Sequence, residues 1–359
     1  MATPEDQVMS TSGAARPFEI TLTTKRTIWV PVLATAIYPF FLNAFHAVIT
    51  GSGAANPITT GSLILAILLM LVVFAVPAAG LILACRAIDR RHNAASQLRQ
   101  RRLALFMICA PTLYCFIGVN NFMLGSPVPD ELIWMVLWLG LGLFLSKAAS
   151  GIERPVAPIR AMPALRVAHG VAGVVVLLFV VFHLFNHIFG LAGPESHTEV
   201  MEIGRRIYRS PFVEPILVIA LLFQVASGLR LAWNWSSVGS DNYRIFQVGS
   251  GVFLSVFILG HLNAVFVFAR TYAGIETGWD FASGDPVGML RDPWSIRLLP
   301  HYAIGVFFVI THLFSGLRVV LLSHGVCRKT ANESWWIGAG IGALVSLMIM
   351  LGITGVRLG

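Results

Sequence analysis

The sequence predicts an all-α polytopic membrane protein. Three observations carry that reading. Of 359 residues, 56% are hydrophobic and only 12% charged, the mean hydropathy is +0.77, and stretches of about 20 apolar residues recur along the whole chain. Stretches of that length match the hydrocarbon thickness of a bilayer when helical. Nine spans are expected, over 27–49, 61–85, 103–122, 131–149, 167–192, 212–235, 245–269, 298–322 and 335–356.

Residues 1–26 are polar and end in Lys25-Arg26. No short apolar stretch with a small-residue cleavage site precedes the first span, so no removable signal peptide is expected. Placing this polar terminus in the cytoplasm puts 18 of the 25 Lys and Arg residues on the inner side, six of them in the loop from Arg86 to Arg102. The positive-inside rule then predicts a multi-pass inner-membrane protein with a cytoplasmic amino terminus. The same topology puts 10 of the 17 acidic residues outside, so the net charge of +8 needs no nucleic acid. Lipid headgroups are the expected partners of the basic loops.

Cys85, Cys109, Cys115 and Cys327 fall within spans or near the inner face, without paired spacing for disulfides or zinc. They are expected to pack. Pro155, Pro158 and Pro163 mark residues 150–166 as a linker, because proline removes a backbone donor and stops helices. It divides a four-span part, 27–149, of unassigned role from a five-span part, 167–359. The first part holds one span histidine, His46, whereas the second holds His169, His183, His187, His261, His301 and His312.

An imidazole in hydrocarbon is costly unless its nitrogens are satisfied, so these residues are functional candidates. His183 and His261 each lie 16 residues past the start of an outward-running span, about 24 Å from the inner end at the helical rise. Two imidazoles at one depth suit the axial positions of a haem iron. His187, one turn beyond His183, is an alternative ligand. Deeper, an echo relates Gln224 to Arg230 with His312 to Arg318, both ending Ser-Gly-Leu-Arg, so that Gln224 stands where His312 stands.

Residues 160–359 resemble the five-helix, single-chain cytochrome b subunit of succinate dehydrogenases and fumarate reductases. The resemblance rests on Arg166 to Gly170, His183 with Asn186-His187, Ser210-Pro211-Phe212 with Glu214, Gln224 to Gly228, Asn242-Tyr243-Arg244, His261, His312 to Leu317 and Gly355-Val356-Arg357. It implies two haems, with ligands at His183 and His261 for the outer one and at Gln224 and His312 for the inner one. Glutamine is a weak iron ligand beside imidazole, so one haem b per chain is expected, held by His183 and His261. His312 is left as a relic, a helix-to-helix hydrogen bond or a lone ligand.

The function expected from this pattern is electron transfer between an outer haem b and a membrane quinone, within a complex that could include flavoprotein and iron–sulfur subunits. No flavin, nucleotide or iron–sulfur signature would let the chain catalyse alone. The second reading is a haem- or quinone-linked redox sensor, or a structural anchor. Glu195, Glu199, Glu202 and His301 on the outer side are candidates for proton exchange with quinone. Arg205, Arg206 and Arg209 near the outer mouth have two expected partners, haem propionates or, in the preferred reading, those three glutamates, and His169, His197, His301 and His324 are expected to lie where solvent satisfies them.

Overall fold

The computed structural model describes residues 17–51, 58–87, 95–148, 160–237 and 241–358. Among these the chain is helical, in the order α1 (Pro17–Ala36), α2 (Tyr38–Thr50), α3 (Thr60–Arg86), α4 (Ala95–Met107), α5 (Ala110–Met123), α6 (Asp130–Ala148), α7 (Pro163–Ile188), α8 (Pro194–Tyr208), α9 (Val213–Trp235), α10 (Asn242–Leu262), α11 (Trp279–Ser283), α12 (Leu298–Ser323) and α13 (Arg328–Ile353). Seven runs are long and apolar enough to cross a membrane, at Thr27–Thr50, Thr60–Arg86, Pro163–Leu191, Val213–Trp235, Asn242–Ala273, Ser295–Ser323 and Arg328–Ile353. They coincide with seven of the nine expected spans.

The other two expected spans differ, each for a local reason. Over 103–122 the chain is broken into α4 and α5, which meet at 65°. Pro111 sits in the first turn of α5, where its ring excludes continuous helical bonding to the preceding turn. Counted as one span, this pair makes eight. Over 131–149, α6 carries Asp130, Glu131 and Lys147 within its 19 residues, a charge load that separates it from the seven. Its acidic end is spent on a polar cluster. Arg297 pairs with Asp130 at 2.7 Å, and Glu131 accepts hydrogen bonds from Asn43 at 2.9 Å and from the Tyr114 hydroxyl at 3.0 Å.

Lipid-facing surface is legible as a stripe. On α7, Val167, Val171, Val174, Leu178, Val181 and Phe185 are all exposed, at the three-to-four spacing that places them on one helix face. The opposite face turns toward α9 and α13. Proline opens this helix at its first position instead of breaking it, since the missing N–H would have had no partner there. Residues 150–159 of the linker lie outside the described residues. Its last part is held where Asn234 of α9 brackets the Arg160 backbone, accepting from its N–H at 3.2 Å and donating to its carbonyl at 3.0 Å.

The amino-terminal helices close around buried aromatic rings. Tyr38, Tyr114, Trp134 and Trp138 interlock at centroid distances of 5.5 to 6.2 Å, and the Trp134 indole donates to the Thr35 carbonyl at 2.8 Å. A second buried cluster joins Ala104 of α4 and Ile108, just after it, to Ile245, Phe246 and Phe253 of α10, Phe308 of α12 and Trp335 of α13. The two parts that the linker separates in sequence therefore share apolar packing.

Candidate functional site

His183 on α7 and His261 on α10 face each other with ring centroids 5.9 Å apart and planes at 71°. Two imidazoles bound to one iron, with metal–nitrogen bonds near 2.0 Å, place their centroids about 6 Å apart. Neither ring makes a hydrogen bond to any described residue. Both are part-buried and keep some accessible surface. Each is backed by a phenylalanine one turn earlier on its own helix. Phe179 stacks on His183 at 5.2 Å, and Phe257 lies nearly parallel to His261 at 6.1 Å. The recurrence of Phe four residues before both histidines is readable in the sequence, where Phe308 before His312 shares the same spacing. These residues fit a haem: porphyrin supplies four nitrogens and asks the protein for two.

Immediately after His261, α10 loosens into a π-helix over Asn263–Ala273. Such segments are frequent at functional sites. Among the described residues no three His, Cys, Asp or Glu side chains are arranged to hold a bare metal ion.

The deeper pair expected from the sequence is not assembled around a common centre. Gln224 spends its amide N–H on the His169 carbonyl of α7 at 2.7 Å, tying α9 to α7. Ser250 donates to the Gln247 carbonyl and accepts from His312 Nδ1 at 3.0 Å. In the same way Ser227 donates to the Phe223 carbonyl and meets His169 Nδ1 at 2.7 Å. His169 and His312 therefore each anchor to a serine on a neighbouring helix, which is the helix-to-helix option for His312.

The outer residues differ from expectation. His197 lies in α8 and is 2% exposed. The α8 helix is amphipathic and folds back over the end of α7, turning His197, Met201 and Gly204 inward while Glu195, Glu199 and Glu202 face out. The arginines do not pair with those glutamates. Arg205 donates to the Thr277 carbonyl at 2.9 Å and meets Glu276 at 4.0 Å, and Arg209 donates to the Thr277 hydroxyl at 2.6 Å. The reason is rotational: these arginines lie on the side of α8 that faces the segment before α11. His301 is also buried, at 4%, with its ring 4.6 Å from Phe257, the phenylalanine that backs His261, instead of facing solvent.

From His183 the rings continue toward α8 and α11. His187 follows at 4.7 Å, His197 at 5.1 Å from His187, and Trp279 of α11 at 4.9 Å from His197. His187 thus packs between His183 and His197, whereas His183 is the one set opposite His261. Asn186 Nδ2 donates to His197 Nε2 at 3.1 Å. Burial and the nearby Arg205 charge push the His197 pKa down to about 4, so the ring is neutral near pH 7. Asn186 Oδ1, His187 Nδ1, His197 Nδ1, Trp279 Nε1 and His301 Nδ1 are buried with no partner among the described residues. An unpaired buried polar group costs about 1–3 kcal/mol, so several of them around one ring are a feature to be explained.

Comparison with protein-family models, curated proteins and solved structures returns no match.

Proposed function

We propose that the chain is a membrane b-type cytochrome that exchanges electrons between an outer haem and a membrane quinone, as part of a redox complex. The observation that carries this reading is the facing pair His183 and His261, without hydrogen-bond partners and spaced for one iron between them. Bound there, haem b supplies reversible one-electron chemistry. The chain's own part is to clamp it from two helices, to hold each imidazole against a phenylalanine, and to exclude water from the ligand pair. Quinol oxidation also releases two protons, which titratable groups near the pair must accept. The test is the dithionite-reduced spectrum of the purified chain. A low-spin b-type band supports the reading, and a haem-free chain overturns it.

One haem per chain is the expected stoichiometry in a pyridine haemochrome assay. Gln224 is committed to the His169 carbonyl, so His312, whose Nε2 stays free among the described residues while Nδ1 meets Ser250, lacks the glutamine as a second ligand, and the facing pair His183 and His261 is the expected clamp. Two haems per chain would show that the deeper histidines also bind iron.

The proposed orientation has the amino terminus and the inner loops in the cytoplasm of a cell with an inner membrane. Cys327 offers a native probe. It is exposed, whereas Cys109 and Cys115 are buried and Cys85 is half-buried. Its hydrogen-bond contact with the Thr330 hydroxyl lowers the thiol pKa, so more of it is the reactive thiolate at neutral pH. A membrane-impermeant maleimide should leave Cys327 unlabelled in intact cells and label it rapidly in inverted vesicles. Labelling in intact cells would reverse the topology.

A further inference from the structure

A cavity of about 590 Å³ opens between the two parts of the chain, with Phe45 of α2 and Phe74 of α3 on one side and Phe307 of α12 and Ala343 of α13 on the other. Its volume falls within the range of about 300–1,000 Å³ usual for small-ligand sites. The two hydroxyls in its wall are already spent, Ser346 on the Ala303 carbonyl and Thr354 on the Met350 carbonyl, each at 2.8 Å. The rest of the lining is apolar, so nothing in the wall asks for a polar occupant. Leu347 and Leu351 line the cavity and are 57% and 38% exposed, which opens it sideways beyond α13. The helices α3, α12 and α13 are all long and apolar enough to cross a membrane, where the surroundings are hydrocarbon.

The cavity has the length of one leaflet. It runs from Leu299 at the start of α12 and Thr354 at the end of α13 to Phe307 and Ala343, eight and eleven residues away along those helices. At 1.5 Å per residue these depths are about 12 and 16 Å, against about 15 Å for half of the hydrocarbon core. A basic group stands at the shallow end. His46, next to the lining Phe45, donates to the Arg291 carbonyl at 2.8 Å, which holds Arg291 beside the lining Leu290. The Arg291 side chain is exposed and has no ion pair among the described residues. The neighbouring Asp292 is turned to the Trp294 and Ser295 N–H groups, at 3.2 and 2.6 Å. We propose that this groove holds one acyl chain of an anionic phospholipid whose phosphate is taken by Arg291. The guanidinium fork matches phosphate, and the apolar wall below it matches the tail. Lipid tails are as apolar as this wall, so entry gains nothing from the hydrophobic effect. Retention comes from filling a void whose lining otherwise lacks contact atoms, and from the charge pair. The bound lipid joins α2 and α3 to α12 and α13, and the site does not depend on the haem reading.

The test places the full chain in phosphatidylcholine vesicles with a trace of phosphatidylglycerol carrying a diazirine on one acyl chain, followed by irradiation and peptide mapping. Label is expected on the peptides holding Phe307 and Leu347, above its level on the exposed stripe of α7, which reports ordinary lipid contact. Ala343→Phe puts a ring into the groove and should bring the excess down to the α7 level, with helical circular dichroism unchanged. Arg291→Gln should reduce the excess about fivefold, the worth of one basic residue at an anionic surface. The same diazirine chain on phosphatidylcholine, whose ammonium cancels the phosphate charge, should label wild type at that reduced level. Label no higher than on α7, or unaltered by Ala343→Phe, overturns the groove as a lipid site. An excess kept in full by Arg291→Gln, or equal from the two lipids, overturns the anionic phospholipid. Cross-linking of Leu347→Cys chains to one another in the membrane would show a second copy covering the groove, and also overturns it.

Discussion

His183→Ala and His261→Ala should each abolish the low-spin b-type absorption and bring haem content from about one per chain toward zero. The two rings sit 5.9 Å apart on different helices, so each supplies one side of a clamp and neither can hold six-coordinate iron alone. His187 is only one turn from His183 but packs between that ring and His197. It is not set opposite His261. His312→Ala should leave most of the band, because His312 meets Ser250 in a different part of the bundle. A normal spectrum in His183→Ala together with its loss in His187→Ala would move the ligand one turn along α7. A normal spectrum in His261→Ala would dismantle the clamp altogether.

Arg297→Ala should destabilise the protein by about 3–5 kcal/mol, the cost of leaving one partner of a buried ion pair unmatched. Arg297 precedes α12 and Asp130 opens α6, and their side chains are 8% and 15% exposed with 2.7 Å between charged atoms. The guanidinium also lies over the Tyr114 ring at 4.5 Å. It is therefore a polar tie between the amino-terminal helices and the histidine-bearing part. Unfolding in detergent, followed by helical circular dichroism, measures the loss. The paired change Arg297→Met with Asp130→Leu should recover much of it, since apolar replacement of both partners removes the unmatched charge. Unaltered stability in Arg297→Ala would mean that water penetrates this junction and that the shared apolar packing alone joins the two parts.

The amino-acid sequence by itself determined the helical class, seven of the spans to within a few residues at most ends, and the candidate ligand pair. Those properties are local or periodic. Continuous apolar stretches specify transmembrane helices, and a fixed rise of 1.5 Å converts residue position into depth, which is how His183 and His261 fall at one level. The bend between α4 and α5 was also encoded locally, in Pro111, although continuous hydrophobicity concealed it. Tertiary structure decided what depth cannot express: which way each side chain faces and what it meets. Gln224 and His312 stand at matched positions in a repeated motif, yet one ends on a backbone carbonyl of α7 and the other on a serine of α10. Charge drew attention to Glu195, Glu199 and Glu202, but rotation of α8 turns them outward and buries His197, whose partners Asn186 and Trp279 are 11 and 82 residues away in sequence. Likewise Asp130 and Arg297, charges at the ends of distant helices, become a buried pair only when the two parts of the chain pack together. Such contacts depend on the angular settings of several helices at once, and hydrophobic period constrains each helix only to within a face.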